Sequence, residues 1–209
     1  MSIQTDLAGT AHQHPDRHTE DTLHTSTKWL LGELVIIGVA MTLLNIAGQP
    51  QFLPYQWHKL LHIVGAVFFL GNIIVTAVWL VLAEQTRNTA TLHFAAKAVN
   101  WADVFFTAPG ILLLLANGQI MANAAWGGVS ASWIAVALGL FVLSGIIWAG
   151  FLLRFQHRLI QVSAQAAGSD APLPPTFFRV LHAWYIAGTV ATVSPLVSLV
   201  LMVVKPELW

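Results

Sequence analysis

The chain has no cysteine and few charged residues, and each shortage excludes a class of protein. Without cysteine there are no disulfides, thiolate metal sites or iron–sulfur clusters, so histidine, methionine and carboxylates are the available metal ligands. Charged residues make up 9% of the 209 residues and hydrophobic residues 56%, whereas about 25% of an ordinary soluble domain is charged. Such a chain cannot cover itself with a polar surface, so we expect it to lie in a membrane.

The sequence also lacks the signatures of several enzyme and binding classes. It contains no G-x-S-x-G, P-loop or H-E-x-x-H motif, which are patterns of serine hydrolases, nucleotide-binding proteins and zinc proteases. The formal net charge is zero and the few charges lie in short clusters. Nothing therefore indicates binding to nucleic acid.

What the sequence does contain is a set of five long apolar runs, at about 29–47, 57–83, 99–122, 132–153 and 180–204. Each comes to the roughly 20 residues that a helix needs to cross a hydrocarbon core. Backbone polar groups in a membrane must pair with one another, and runs without alternating polarity predict helices rather than a barrel. The predicted fold is all-α, an integral membrane bundle of five transmembrane helices with a disordered N-terminal tail.

Residues 1–28 form this tail, because they are polar and unpatterned. The tail carries four histidines that could hold a metal ion weakly, although solvated side chains are the simpler interpretation: His12, His14, His18 and His24. Lysine and arginine are concentrated before the first run and after the second and fourth runs. By the positive-inside rule we expect a bacterial cytoplasmic (inner) membrane protein with a cytoplasmic N-terminus and an external C-terminus.

Two histidines near the start of the second run, His58 and His62, lie four residues apart and so share a helical face. An ionisable side chain facing lipid is costly, so we expect His62 to face other helices. Its imidazole could bind a haem iron, with Met121 or Met202 as a second axial ligand. The two histidines could equally bind copper. The simpler alternative is a histidine that only hydrogen-bonds to a neighbouring helix.

A second polar group is predicted at the opposite membrane face, because alternate helices run in opposite directions. This inner polar cluster comprises Asn100, Asp103, Arg154, Arg179 and His182. Asn100, Asp103 and Thr107 share a helical face. Asp103 lies within an apolar helix, so we expect it to pair with Arg154, Arg179 or a protonated histidine. The cluster could therefore be structural, as an ion pair that holds helix ends together. Alternatively, it could serve proton transfer or ligand binding.

Some residues are expected to shape the helices instead. Arg154, Gln156 and Arg158 are predicted to anchor a helix end at the membrane surface. Pro109 and Pro195 predict kinked or loosened turns within helices. Four glycines are expected to allow close helix packing: Gly65, Gly71, Gly145 and Gly150.

Short motifs in the last four runs also carry a family resemblance. They are Leu61-His62, Gly71-Asn72, Asn100, Asp103, Phe106-Thr107 and Pro109-Gly110. With them, residues from about 57 to 206 resemble the bacterial predicted integral membrane family called domain of unknown function 2269, which implies no established activity. More distantly, L-H-x-x-G-x-x-x-x-x-G from Leu61 is similar to the opening helix of two families, copper-resistance D and the membrane-bound haem-containing protoporphyrinogen oxidases. The second similarity implies a haem ligand at His62.

These observations favour a multi-pass inner-membrane protein that binds haem b, alternatively copper or no cofactor, through His62 for redox reactions or electron transfer. A non-enzymatic structural subunit or small transporter component is the alternative. The expected surroundings are the lipid bilayer, and both a homo-oligomer and a membrane partner subunit are compatible with this composition.

Overall fold

The computed structural model describes residues 16–48, 50–168 and 172–209, which are helical almost throughout. The helices are α1 (Asp16–Ile46), α2 (Tyr55–Thr86), α3 (Thr89–Ala102), α4 (Ala108–Trp126), α5 (Ser132–Ile147), α6 (Leu153–Gly168) and α7 (Pro175–Val204). A first π-helical segment, Asp103–Thr107, joins α3 to α4, and a second, Trp148–Leu152, joins α5 to α6. The described residues therefore form five rods.

All five rods contain a stretch long and apolar enough to cross a membrane. These stretches are Lys28–Ile46, Tyr55–Thr86, Thr89–Trp126, Ser132–Ala167 and Pro175–Val204. The predicted all-α bundle of five transmembrane helices is thus confirmed. The third, fourth and fifth rods extend beyond the predicted apolar runs, because helical hydrogen bonding continues into their polar ends.

The first helix begins within the segment predicted to be a disordered tail. The backbone of α1 is helical from Asp16 onward, and residues 1–15 lie outside the described residues. The predicted weak metal binding falls on side chains that also lie outside them: His12, His14, His18 and His24.

The rods pack as neighbouring pairs. α2 runs along α4, α5 runs along α7, and α3 packs against α6, while α1 lies on α4 and α6. Most of the largest fully buried apolar side chains belong to one cluster that includes α3 and α6: Leu80, Leu92, Val99, Leu159, Ile160, Phe177 and Leu181. Large apolar side chains such as Ile63, Val67 and Ile146 point outward, as expected of a surface in contact with lipid.

The two ends of the bundle are named here after residues of α2. At the His62 end α2 begins, α4 ends and α7 ends. At the Glu84 end α2 ends, α3 begins and α7 begins.

Glycine brings α2 and α4 into backbone contact. A Cβ added to Gly65 would lie 2.8 Å from both the carbonyl oxygen of Gly110 and the backbone nitrogen of Leu114. Among the described residues, no atom of a neighbouring helix lies within 4 Å of a Cβ placed on Gly71, Gly145 or Gly150. The prediction of close packing is therefore confirmed for Gly65 and wrong for the other three, whose faces turn away from neighbouring helices.

The prolines modify their helices in different ways. Pro109 is the second residue after the first π segment, in agreement with the predicted loosened turn. Pro195 lies inside the continuous helix α7 and cannot donate to the carbonyl four residues earlier, that of Ala191. Ser144 of α5 donates to this carbonyl instead, at 2.6 Å, so the proline creates an acceptor that links α7 to α5.

Candidate functional site

His58 is fully buried and both of its ring nitrogens have protein partners. Nδ1 donates to Oδ1 of Asn117 at 2.8 Å, and the Asn117 amide is oriented because its nitrogen donates to the Leu113 carbonyl. The backbone nitrogen of Leu53 donates to Nε2 at 3.3 Å. His58 could therefore bind a metal only by giving up one of these bonds.

His62 is anchored through one nitrogen only. Nδ1 donates to the carbonyl oxygen of Leu114 at 2.9 Å, which leaves the lone pair on Nε2. No group in the part of the chain that the structure describes hydrogen-bonds this Nε2. A histidine that binds a metal commonly has this arrangement, with its other nitrogen donating to a carbonyl.

A glycine on α4 makes room for the His62 ring. A Cβ added to Gly118 would lie 2.9 Å from Cε1 and 3.0 Å from Nδ1 of His62. The imidazole therefore lies flush against the backbone of α4, and any larger residue at position 118 would displace it.

The other predicted ligands are not joined to His62 by any described contact. Met121 lies one turn beyond Gly118 on α4, and Met202 lies near the end of α7. Among the described residues, no group of three or more His, Asp or Glu side chains could hold a metal ion together. A single imidazole nitrogen without a partner among the described residues fits a haem better than copper, because a porphyrin supplies four of the iron ligands itself.

Asp103 lies at the centre of a second polar site and is 4% exposed. Its Oδ1 accepts from Oγ1 of Thr107 at 2.7 Å and from Nδ2 of Asn72 at 3.1 Å. Its Oδ2 accepts from Nε2 of Gln156 at 2.9 Å and from Nε1 of Trp148 at 3.3 Å. Each carboxylate oxygen thus has two uncharged donors.

The two π segments help to position this network. Asp103 begins the first segment and Trp148 begins the second. A π turn changes the direction in which the following side chains point and is frequent at functional sites. The predicted common face of Asp103 and Thr107 is confirmed by their hydrogen bond.

The arginines predicted as partners of Asp103 take no part in its described hydrogen bonds. Arg154 and Arg179 are exposed, and long basic side chains of this kind extend to the membrane surface. Asn100 is linked to Asp103 indirectly, because its Nδ2 donates to Oε1 of Gln156 at 3.4 Å. Gln156, predicted at the membrane surface, is instead buried.

His182 belongs to a separate contact at the Glu84 end. Its Nε2 lies 3.2 Å from Oε1 of Glu84, and the Tyr185 hydroxyl donates to Oε2 at 3.0 Å. Since 22 residues of α2 separate Glu84 from His62, the two histidines lie about 33 Å apart along that helix. His62 and His182 therefore lie at opposite ends of the bundle, in agreement with the predicted separation.

Sequence reasoning missed several members of these sites: Asn72, Trp148, Gln156 and Tyr185. The available signal for Asn72 was a lone amide in the middle of the second apolar run. Trp148 lies in an apolar run where a tryptophan is not unusual, so nothing in the sequence indicated that it belongs to a polar site.

Five apolar rods around buried polar centres define a multi-pass integral membrane protein. The model of the family described as predicted integral membrane protein (DUF2269) matches residues 56–206, and the chain belongs to that family. No curated protein and no solved structure matches the chain. The distant similarities to the copper-resistance D and protoporphyrinogen oxidase families therefore gain no support.

Proposed function

We propose that this protein binds haem b through Nε2 of His62 and serves redox reactions or electron transfer in the membrane. The observation that carries the proposal is the state of the imidazole, which is anchored through Nδ1 to Leu114 and has no hydrogen-bond partner at Nε2 among the described residues. Haem supplies one-electron chemistry when bound. The chain's own contribution is to fix the tautomer and orientation of the ring through Leu114 and Gly118.

Together with His62, Met121 or else Met202 would hold the haem. Met121 lies on the helix whose Gly118 already faces the His62 ring, which favours it. Copper is the less favoured alternative, because His58 already uses both nitrogens in hydrogen bonds.

The visible absorption spectrum of the purified full-length protein, oxidised and then reduced, tests this proposal together with metal analysis. We expect a Soret band that shifts on reduction, is lost in His62→Gly and returns when imidazole is added to that variant. His182→Ala is the control and should retain the band, because His182 lies at the other end of α2. Loss in both variants, or in neither, would contradict the assignment to His62.

A structural subunit or small transporter component is the second candidate function. It is favoured by His58, whose two protein hydrogen bonds account for a buried histidine without any cofactor. Under this alternative no histidine variant alters a spectrum and His58→Ala mainly lowers stability. Purification with a stoichiometric partner subunit, or as a homo-oligomer, would identify the assembly.

We also propose that the membrane is the bacterial cytoplasmic membrane, with the Glu84 end and the N-terminus in the cytoplasm. Support comes from the basic residues on the Glu84 side: Lys28, Arg87, Lys97, Arg154, Arg158 and Arg179. Because the chain has no cysteine, single cysteines at the exposed Gln51 and Gln85 can be labelled unambiguously. A membrane-impermeant maleimide added to intact cells without an outer membrane should label Gln51→Cys and spare Gln85→Cys; the reverse would invert the topology.

A further inference from the structure

The Asp103 carboxylate is buried within an apolar rod long enough to span a membrane, and the described residues give it no cationic partner. Within the described residues all four of its donors are uncharged: Thr107, Asn72, Gln156 and Trp148. A carboxylate at such a depth is costly and generally functional. Uncharged donors can hold the ionised form, yet none of them supplies the positive charge that would keep it permanently ionised.

Neighbouring elements bring few ionisable groups toward Asp103. α4 carries none, and α2 carries none between His62 and Glu84. The other described ionisable side chains on elements that pack near the first π segment or Gln156 are Lys28 and Glu33 on α1, His93 and Lys97 on α3, and the exposed Arg154, His157 and Arg158 on α6.

The donors around Asp103 leave little room for a metal cation. Two hydrogen bonds reach each carboxylate oxygen, which accounts for the roughly four lone-pair positions of the group. A metal ion would have to displace some of these donors. A proton requires only that one of them reverse its orientation and present an acceptor to the new O–H group. The geometry therefore favours a proton as the ligand.

The donor that can reverse its orientation is the amide of Gln156, which hydrogen-bonds Oδ2 of Asp103. On the Oδ1 side, the Asn72 amide donates to both Thr107 and Asp103, at 2.8 and 3.1 Å, which holds the amide in one orientation. On the Oδ2 side, Gln156 donates to Asp103 and accepts from Asn100. Asp103, Gln156 and Asn100 thus form a hydrogen-bonded row. The row ends at Oδ1 of Asn100, a buried oxygen without a donor among the described residues.

We propose that Asp103, Gln156 and Asn100 form a buried proton-binding site in which the two amides reverse when Asp103 takes up a proton. The proton comes from water and bonds to Oδ2, which neutralises the carboxylate, and no electron is exchanged. The new O–H group donates to the reversed amide oxygen of Gln156. The Gln156 nitrogen then donates to the Asn100 oxygen, so the charge state of Asp103 is transmitted along the row.

Infrared difference spectroscopy of the full-length protein in lipid vesicles, across the pH range in which it stays folded, tests this proposal. The chain has five aspartates, and the four besides Asp103 lie outside the spans: Asp6, Asp16, Asp21 and Asp170. Replacing these four by Asn and labelling aspartate with carboxyl ¹³C makes Asp103 the sole labelled carboxyl without altering its surroundings. We expect a labelled carboxylic acid band to appear on acidification.

Three results would overturn the proposal. The first is a labelled carboxyl that never changes its protonation state. The second is conversion of the acid to the carboxylate when sodium chloride replaces choline chloride at constant pH, which would make sodium the ligand. The third concerns the amide reversal. With ¹³C-labelled glutamine we expect an amide band that changes when Asp103 changes its protonation state and that is lost in Gln156→Met. Persistence of that band in Gln156→Met would refute the reversal.

The proton site is independent of the function proposed for His62. His62 lies ten residues from Asn72 on α2, about 15 Å along the helix. The Asp103 band should therefore be unchanged in His62→Ala, and a failure of either proposal leaves the other standing.

Discussion

The histidine pair and the Asp103 centre hold the bundle together in different ways. His58 and His62 tie α2 to α4 through separate hydrogen bonds, one to Asn117 and one to Leu114. Asp103 uses a single carboxylate to join its own rod to α2 and to the α5–α6 rod. Among the described residues, Nε2 of His62 has no hydrogen-bond partner, whereas four donors at the other centre depend on one acceptor.

Removing the carboxylate should have the largest effect. Asp103→Leu leaves four buried donors without their charged acceptor, and each unpaired group costs about 1–3 kcal/mol. We expect the free energy of unfolding to fall by about 3–5 kcal/mol, measured by denaturant titration in mild detergent. Glu84→Gln is the control and should lose less than about 1 kcal/mol, because Glu84 lies at the bundle end. Equal losses would show that Asp103 has no special place in the bundle.

The two histidines should differ from each other. His58→Leu strands the Asn117 oxygen and the Leu53 nitrogen, so we expect a loss of about 2–3 kcal/mol. His62→Leu strands only the Leu114 carbonyl, which keeps its place in helix α4, and should lose about 1 kcal/mol. The same titration measures both variants. A larger loss for His62 than for His58 would reverse the assignment of His58 as the structural histidine.

The α2–α4 backbone contact can be tested with a matched pair of glycines. Gly65→Ala places a methyl group 2.8 Å from backbone atoms of α4 and should cost about 1–3 kcal/mol through overpacking. The methyl group of Gly71→Ala would meet no atom of another helix within 4 Å in the described part of the chain, so we expect a change within about 0.5 kcal/mol. Thermal unfolding of both variants in the same detergent measures the difference, and we expect the lower melting temperature for Gly65→Ala. Similar melting temperatures would argue against the close approach of α2 and α4.

The smallest effect is expected for the serines that link α5 and α7. Ser144→Ala removes the donor to the Ala191 carbonyl, for which Pro195 leaves no helical donor, and should cost about 1 kcal/mol. Ser198→Ala removes a bond to the Ala137 carbonyl, which lies inside helix α5 and keeps its helical donor. We expect about 0.5 kcal/mol there, and denaturant titration of both variants should preserve this order.

The sequence by itself determined the five helices, the opposite placement of His62 and His182, and the common face of Asp103 and Thr107. These features depend on the length of apolar runs, on the alternating direction of successive spans and on helical periodicity, all of which are readable along the chain.

Only the tertiary structure decided which side chains meet between rods. An arginine partner for Asp103 was the expectation from charge, yet arginine can extend to the membrane surface, while an amide or indole already inside the bundle can pair only with a buried group. Gln156 and Trp148 therefore reach Asp103, through helix packing and two π segments. No local sequence pattern predicted these π segments. The anchoring of His62 through Nδ1 was decided in the same way, because the position of the Leu114 carbonyl depends on how closely Gly65 and Gly110 let α2 approach α4.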